Sequence, residues 1–307
     1  MIKIRRTMLL VPAGDARKIE KTREAAADVL MFDLQDSVPF DNVAKANARQ
    51  TLRGALARPF PRQREINVRV NAIDSPWLLA DLEMVLEAGV DSVTFAELRV
   101  PGDVIHFERL LRSLRPGKRV PEVLLDVETP SALCNLEEIA RNATLVTGMM
   151  VGVNDYALEV HSSGALYGQA GEPSQDHLTW IRPKTVAVAR ANGWTVADAV
   201  MLKDPKDLEH GRTAMWGSRR MGFDGWVVLY PPQLAVANEV FAPSQQELAW
   251  AQEVLARYER EQAVVETARM ATVARQHLQL ARNLMGLASA IDAPGAFSST
   301  NPSGHSG

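Results

Sequence analysis

Apolar residues in this chain gather into short runs separated by longer stretches of helical spacing. The runs fall at Thr7–Val11, Val29–Leu34, Glu65–Val70, Ser92–Ala96, Glu122–Val127, Leu145–Val151, Thr195–Met201 and Trp226–Tyr230. Runs of this length, such as the two bounded by Pro121 and Gly152, predict buried parallel strands. Between them Ala16–Ala27, Val43–Ala57, Pro76–Ala88, Val104–Leu114, Leu136–Arg141, Thr179–Asn192 and Lys206–Met221 repeat apolar residues at helical intervals. Strands alternating with helices in this way predict an α/β fold, a (β/α)8 TIM barrel rather than an open sheet. No G-x-G-x-x-G follows a strand, which argues against a dinucleotide-binding fold.

The pattern changes after Pro243. The expected organisation is a barrel over residues 1–242 and an Ala/Gln/Arg-rich C-terminal helical extension over 243–292, suited to oligomer contacts or a lid. A Ser/Pro/Gly-rich tail over 293–307 is expected to be disordered.

Composition narrows the function classes. The chain is 46% hydrophobic and 23% charged with a net charge of −3, so nothing points to nucleic acid or a membrane surface. No run approaches the roughly 18 apolar residues of a membrane span. The single cysteine, Cys134, excludes an internal disulfide and fits a reducing, cytoplasmic setting. Its position beside Leu133 and Leu136 predicts a small buried side chain.

Candidate chemistry sits where the strands end, since barrel active sites lie at the carboxyl ends. Glu128 closes the fifth run and Asp155, 27 positions later, follows the sixth. Carboxylates at the ends of neighbouring strands can meet at one face, and such hard oxygen ligands suit Mg²⁺. Other strand ends deliver Asp15, Asp33, Gln35, Asp36, Arg69, Asn71, Glu97, Lys203, Asp204, Tyr230 and Gln233.

The segments Arg6–Pro12, Phe32–Val38, Val68–Asn71, Asp126–Thr129, Val151–Tyr156 and Met221–Gly225, the last continued by Tyr230–Gln233 and Asn238–Ser244, stand in the order and spacing of a known family. Over roughly residues 5–260 the chain resembles the HpcH/HpaI aldolase and citrate lyase β-subunit family, near malyl-CoA and citramalyl-CoA lyases. The resemblance implies a Mg²⁺-dependent carbon–carbon lyase acting on a small carboxylate or acyl-CoA substrate, in a homo-oligomer, a trimer or hexamer. It implies Glu128 and Asp155 as metal ligands, with Arg69 binding the substrate carboxylate. Asp33 and Asp36 would support the metal's waters and the substrate. Arg69, Glu128 and Asp155 are then the catalytic set.

Departures from the family pattern accompany the matches. Gln35 stands where a Glu is usual, Ala96-Glu97 replaces Pro-Lys, and Trp226 and Tyr230 replace a Lys and a His. Thr272 stands at a late family Asp that acts as acid/base, with Glu266 as a substitute. A threonine cannot shuttle protons near neutrality as a carboxylate can. The alternatives left open are an acyl-CoA thioesterase, a CoA-independent class II 2-keto acid aldolase, and a non-catalytic metal- and carboxylate-binding protein.

Overall fold

The computed structural model describes residues 3–60, 64–162, 178–200, 202, 204–261, 265–267, 270–273 and 275–293, with residues 259–275 described in backbone only. The expected disorder of the tail, the side chains of Glu266 and Thr272, and Lys203 lie outside the described residues.

Eight parallel strands close into a barrel in sequence order, with β1 pairing β8. They are β1 (Thr7–Pro12), β2 (Val29–Asp33), β3 (Glu65–Val70), β4 (Ser92–Phe95), β5 (Glu122–Val127), β6 (Val146–Val151), β7 (Thr195–Asp198) and β8 (Gly225–Val228). The helices of the same unit are α1 (Ala16–Lys21), α2 (Asn42–Leu56), α3 (Leu78–Ala88), α4 (Pro101–Leu114), α5 (Pro130–Asn142), α6 (Val153–Glu159), α7 (Ile181–Asn192), α8 (Leu208–Met221) and α9 (Gln233–Val240). The expected (β/α)8 barrel is therefore the observed fold.

Local chemistry sets the boundaries. Asp41 caps α2 by accepting from the backbone N–H of Val43 and Ala44, and Thr129 caps α5 by accepting from Ala132 N, with Pro130 opening that helix. The seventh and eighth strands are shorter than their apolar runs. The ladder stops at Asp198 and Val228, while Val200 and Leu202 stay buried in the loop beyond. Burial, rather than strand pairing, extended the seventh run, whereas past the eighth strand Leu229 is exposed. Cys134 is exposed, contrary to expectation, because α5 buries Ala132, Leu133, Leu136, Ile139 and Ala140 and Cys134 falls off that stripe.

The barrel interior is layered. Arg5 fills the bottom, held by Glu65, Glu122, Thr147 and Thr195. Met8, Val29, Met31, Leu124, Met150, Ala197 and Val227 form the apolar middle. The polar top layer carries the candidate site.

The other compact unit holds residues 1–4 and 241–307. Its helices α10 (Gln245–Glu261) and α11 (Arg275–Asp292) pack through Ala251, Val254, Leu278 and Ala281. Where the sequence predicts only helices, β9 (Val265–Thr267) and β10 (Met270–Val273) pair antiparallel. Among the described residues no helix is long and apolar enough to cross a membrane.

Candidate active site

Side chains alternate along a strand, so residues two apart share a face. On β5 this places Glu122 at the bottom, Leu124 in the apolar middle, and Asp126 with Glu128 at the top. Asp33 ends β2 and Arg69 lies near the end of β3, directly paired in register. Asp33 accepts from Arg69 Nε and Nη2 at 2.9 Å each, from Gln35 N at 2.9 Å and from Ser37 N at 3.1 Å. Burial works to raise the Asp33 carboxyl, but the Arg69 charge and these hydrogen bonds outweigh it and hold Asp33 below its ordinary value.

Arg69 is 7% exposed. Its Nη2 also lies 3.4 Å from Asp36, and its Nη1 3.6 Å from Asp126 Oδ2. The fork that the family resemblance assigns to a substrate carboxylate thus grips Asp33, and the Nη1 edge turns toward Asp126. Asp36 is about half exposed, and burial, together with the charges of Asp33, Asp155 and Glu97, raises its carboxyl despite Arg69.

Asp126 and Glu128 are 1% and 2% exposed. Asp126 Oδ1 has no hydrogen-bond partner. Burial, with the charges of Asp155, Asp36 and Asp33, pushes Asp126 up to about 7 against the pull of Arg69. Glu128 is pushed well above its ordinary value by burial, then by Asp126 and Asp155. Asp155 lies in the first turn of α6, exposed, and acts on all three of these acids through its charge. Gly152 caps that helix. A Cβ there would lie 2.6 Å from Glu128 Cβ and 3.1 Å from Asp126 Oδ1, so only glycine lets the acids approach.

The acid-bearing loop after β2 rests on Lys45, a fully buried lysine on α2. Its Nζ donates to Leu34 O at 2.7 Å and Gln35 O at 2.6 Å, with the Phe40 and Trp77 rings 4.7 and 5.1 Å away. Asn71 Nδ2 also donates to Leu34 O, at 3.0 Å, and to Asp81. On the other side Glu97 takes a left-handed φ of 55°. Its N–H donates to Glu128 Oε1 at 2.7 Å, and its carboxylate accepts from Gln35 Nε2 at 2.5 Å.

The structure therefore links Asp33, Asp36, Arg69 and Glu128, and sets Asp155 within reach of their charges. Other strand-end candidates do structural work: Asp15 caps α1, Asp204 accepts from Lys206 N, and Gln233 Nε2 donates to Pro205 O. Asp126, Lys45 and the Gln35–Glu97 link were not foreseen. Asp126 shares the inward parity of Glu128, a signal present in the sequence.

The acids fit a divalent cation. They present hard oxygens, one buried carboxylate oxygen lacks a partner, and burial disfavours their ionised forms unless positive charge arrives. Among the described residues no group of three or more His, Cys, Asp or Glu is placed to hold a metal ion by itself. Mg²⁺ does not need one, because it keeps several waters and takes one or two carboxylates.

Beside this layer a groove of about 640 Å³ runs between Pro12, Ser37 and Pro231, with Lys18 and Lys21 along it. Ser37 joins groove to site, since its Oγ donates to Asp33 O at 3.1 Å.

A parallel barrel with an acidic mouth around one arginine defines a class of enzyme-like scaffold, and comparison identifies the family. The chain belongs to the HpcH/HpaI aldolase/citrate lyase family, whose pattern it matches over residues 6–231. It is similar to a (3S)-malyl-CoA thioesterase of Cereibacter sphaeroides strain KD131, 33% identical over 94% of this chain and 96% of that protein. It is also similar to the citrate lyase subunit beta of Escherichia coli K12, 31% identical over 82% of this chain and 81% of that protein. Among solved structures, CitE of Mycobacterium tuberculosis in complex with magnesium, acetoacetate and coenzyme A aligns with a TM-score of 0.74 at 26% identity, over 92% of this chain and 97% of that one.

Proposed function

We propose that this protein is a Mg²⁺-dependent carbon–carbon lyase that cleaves a β-hydroxy acyl-CoA, such as malyl-CoA or citramalyl-CoA, to a 2-keto acid and an acyl-CoA. The observation that carries the reading is the buried Asp126–Glu128 pair beside Asp155 and Arg69, whose carboxyls burial and mutual charge raise despite Arg69. Glu128 and Asp155 would hold Mg²⁺, with Asp126 behind them. When bound, the cation supplies Lewis-acid stabilisation of the substrate's hydroxyl and carboxylate oxygens.

In this reading the chain's residues divide the remaining work. Asp33 locks the Arg69 plane, and the Nη1 edge of Arg69 faces the substrate carboxylate. Asp36, partly exposed with a raised carboxyl, takes the hydroxyl proton as the carbon–carbon bond breaks. The electron pair of that bond passes to the acyl thioester as its enolate, which is then protonated to the acyl-CoA. The groove reaching Lys18 and Lys21 suits a thioester arm with an anionic end. CitE, bound to coenzyme A and magnesium, supports both assignments.

A second reading, thioester hydrolysis, is favoured by the Cereibacter sphaeroides relative, whose similarity spans nearly the whole chain. One assay separates the two. Pure protein with Mg²⁺ and malyl-CoA or citramalyl-CoA is followed for keto acid, acyl-CoA and free thiol. The lyase reading expects keto acid and acyl-CoA in equal amounts. Free thiol without keto acid would establish the hydrolase instead, and no product from either substrate would reject both.

A further inference from the structure

The Gln35 side chain is 2% exposed, and Glu97 fixes its orientation. Nε2 donates to Glu97 Oε1 at 2.5 Å, which leaves Gln35 Oε1 buried with no hydrogen-bond partner. Flipping the amide would set oxygen against carboxylate oxygen, so the charge of Glu97 determines which atom is left over. A buried amide oxygen without a donor is unfavourable, and it marks where a donor from outside the protein would be welcome.

Glu97 is itself clamped. Its left-handed backbone is held by its N–H on Glu128 Oε1, while the next residue's carbonyl, Leu98 O, accepts from Thr129 Oγ1 at 2.8 Å. Strain of this kind persists only where the surroundings over-determine it. The result is a carboxylate fixed at the barrel mouth, on the same side as Asp36 and Glu128. Arg69, which lies among the neighbouring acids, is already forked onto Asp33.

We infer that Gln35 and Glu97 form a specificity subsite for a hydrogen-bond-donating group, hydroxyl or ammonium, on the keto-acid portion of the substrate, and that they exclude a second carboxylate there. The inference rests on the reading of this site as one that binds a keto acid with Mg²⁺. Gln35 Oε1 and the Glu97 carboxylate both offer acceptors, so a hydroxyl finds a partner in Gln35 Oε1. A second carboxylate would meet like charge from Glu97 and lone pairs from Gln35.

The test is calorimetry on the full chain at saturating Mg²⁺, with pyruvate, 3-hydroxypyruvate and oxaloacetate as probes. A satisfied acceptor and a repelled charge each predict discrimination of about tenfold or more. Hydroxypyruvate should bind tighter than pyruvate, and oxaloacetate weaker. Gln35→Met should erase the hydroxypyruvate advantage, bringing the hydroxypyruvate and pyruvate affinities within about twofold of each other. Glu97→Gln should admit oxaloacetate. Equal wild-type binding of all three probes would overturn the subsite while leaving the Mg²⁺ and keto-acid reading intact. Gln35→Met that lowers Mg²⁺ affinity and keeps the selectivity would assign Oε1 to a metal-bound water and also overturn it. No Mg²⁺-dependent binding of any probe by the wild type would remove both the reading and the inference.

Discussion

Arg69 presents Nε and Nη2 to the two oxygens of Asp33, each 2.9 Å away, inside the mouth of the barrel. The pair is buried, so its members depend on each other. Removing one partner of a buried ion pair typically costs about 3–5 kcal/mol, because the other charge stays behind uncompensated. Arg69→Leu should lose stability on that scale in urea unfolding. Arg69→Lys keeps the charge but not the fork, and should fall between the two while also weakening keto-acid binding. Wild-type stability in Arg69→Leu would show that the pair is energetically inert.

Gly152 is the point where α6 approaches β5. A methyl group there must displace Glu128 or Asp126, since Glu128 Cβ would lie 2.6 Å away. Overpacking of this kind costs about 1–3 kcal/mol. Gly152→Ala should therefore lower the melting temperature and weaken Mg²⁺ binding together. Calorimetry showing wild-type Mg²⁺ affinity in Gly152→Ala would mean that the two acids can part without consequence.

Lys45 positions the loop that carries Asp33, Gln35 and Asp36, although it touches no ligand in this account. Lys45→Met keeps the length of the buried stem but removes the charged donor from two backbone carbonyls, leaving Leu34 O with Asn71 Nδ2 and Gln35 O with Val38 N. A hydrogen bond from a charged donor is worth about 1.5–3 kcal/mol. Both thermal stability and keto-acid affinity should drop, with Mg²⁺ affinity less affected because Glu128 and Asp155 stand on other elements. Loss of Mg²⁺ binding alone would contradict this placement.

The fold was legible because eight apolar runs alternate with helical spacing, and parallel strands buried on both faces leave that mark. Strand ends were less legible at β7, where Val200 and Leu202 are buried without pairing. Glu128, Asp155, Asp33, Asp36 and Arg69 were singled out by their places at strand ends together with the family resemblance, since strand-end position alone also selects structural groups such as Asp15 and Gln233. The partner of Arg69 could not be read, since a guanidinium facing several acids chooses by geometry. Lys45 was hidden for a different reason. A lysine on an amphipathic helix reads as solvated until the ring of Trp77 and the carbonyls of the β2 loop are seen around it.

Asp126 makes the metal-free protein sensitive to pH. Its folded value, about 7, lies above the ordinary unfolded one. Such a carboxyl contributes stability below about pH 4, the unfolded value, and that contribution is lost as pH rises through about 7. Metal-free wild type should therefore lose stability across this window relative to Asp126→Asn, whose amide does not titrate. Parallel stability profiles of the two proteins in chelator would contradict the assignment.

The central claim is that the acids at the ends of β5 and β6 hold a divalent cation, and Mg²⁺ titration calorimetry tests it most directly. Wild type should bind Mg²⁺, more tightly in the presence of a 2-keto acid. Asp155→Ala and Glu128→Ala should each lose most of that binding while keeping cooperative unfolding, because each removes a charged ligand from an ion that otherwise holds mainly water. Undiminished Mg²⁺ binding in both folded variants would contradict the site on which the account is built.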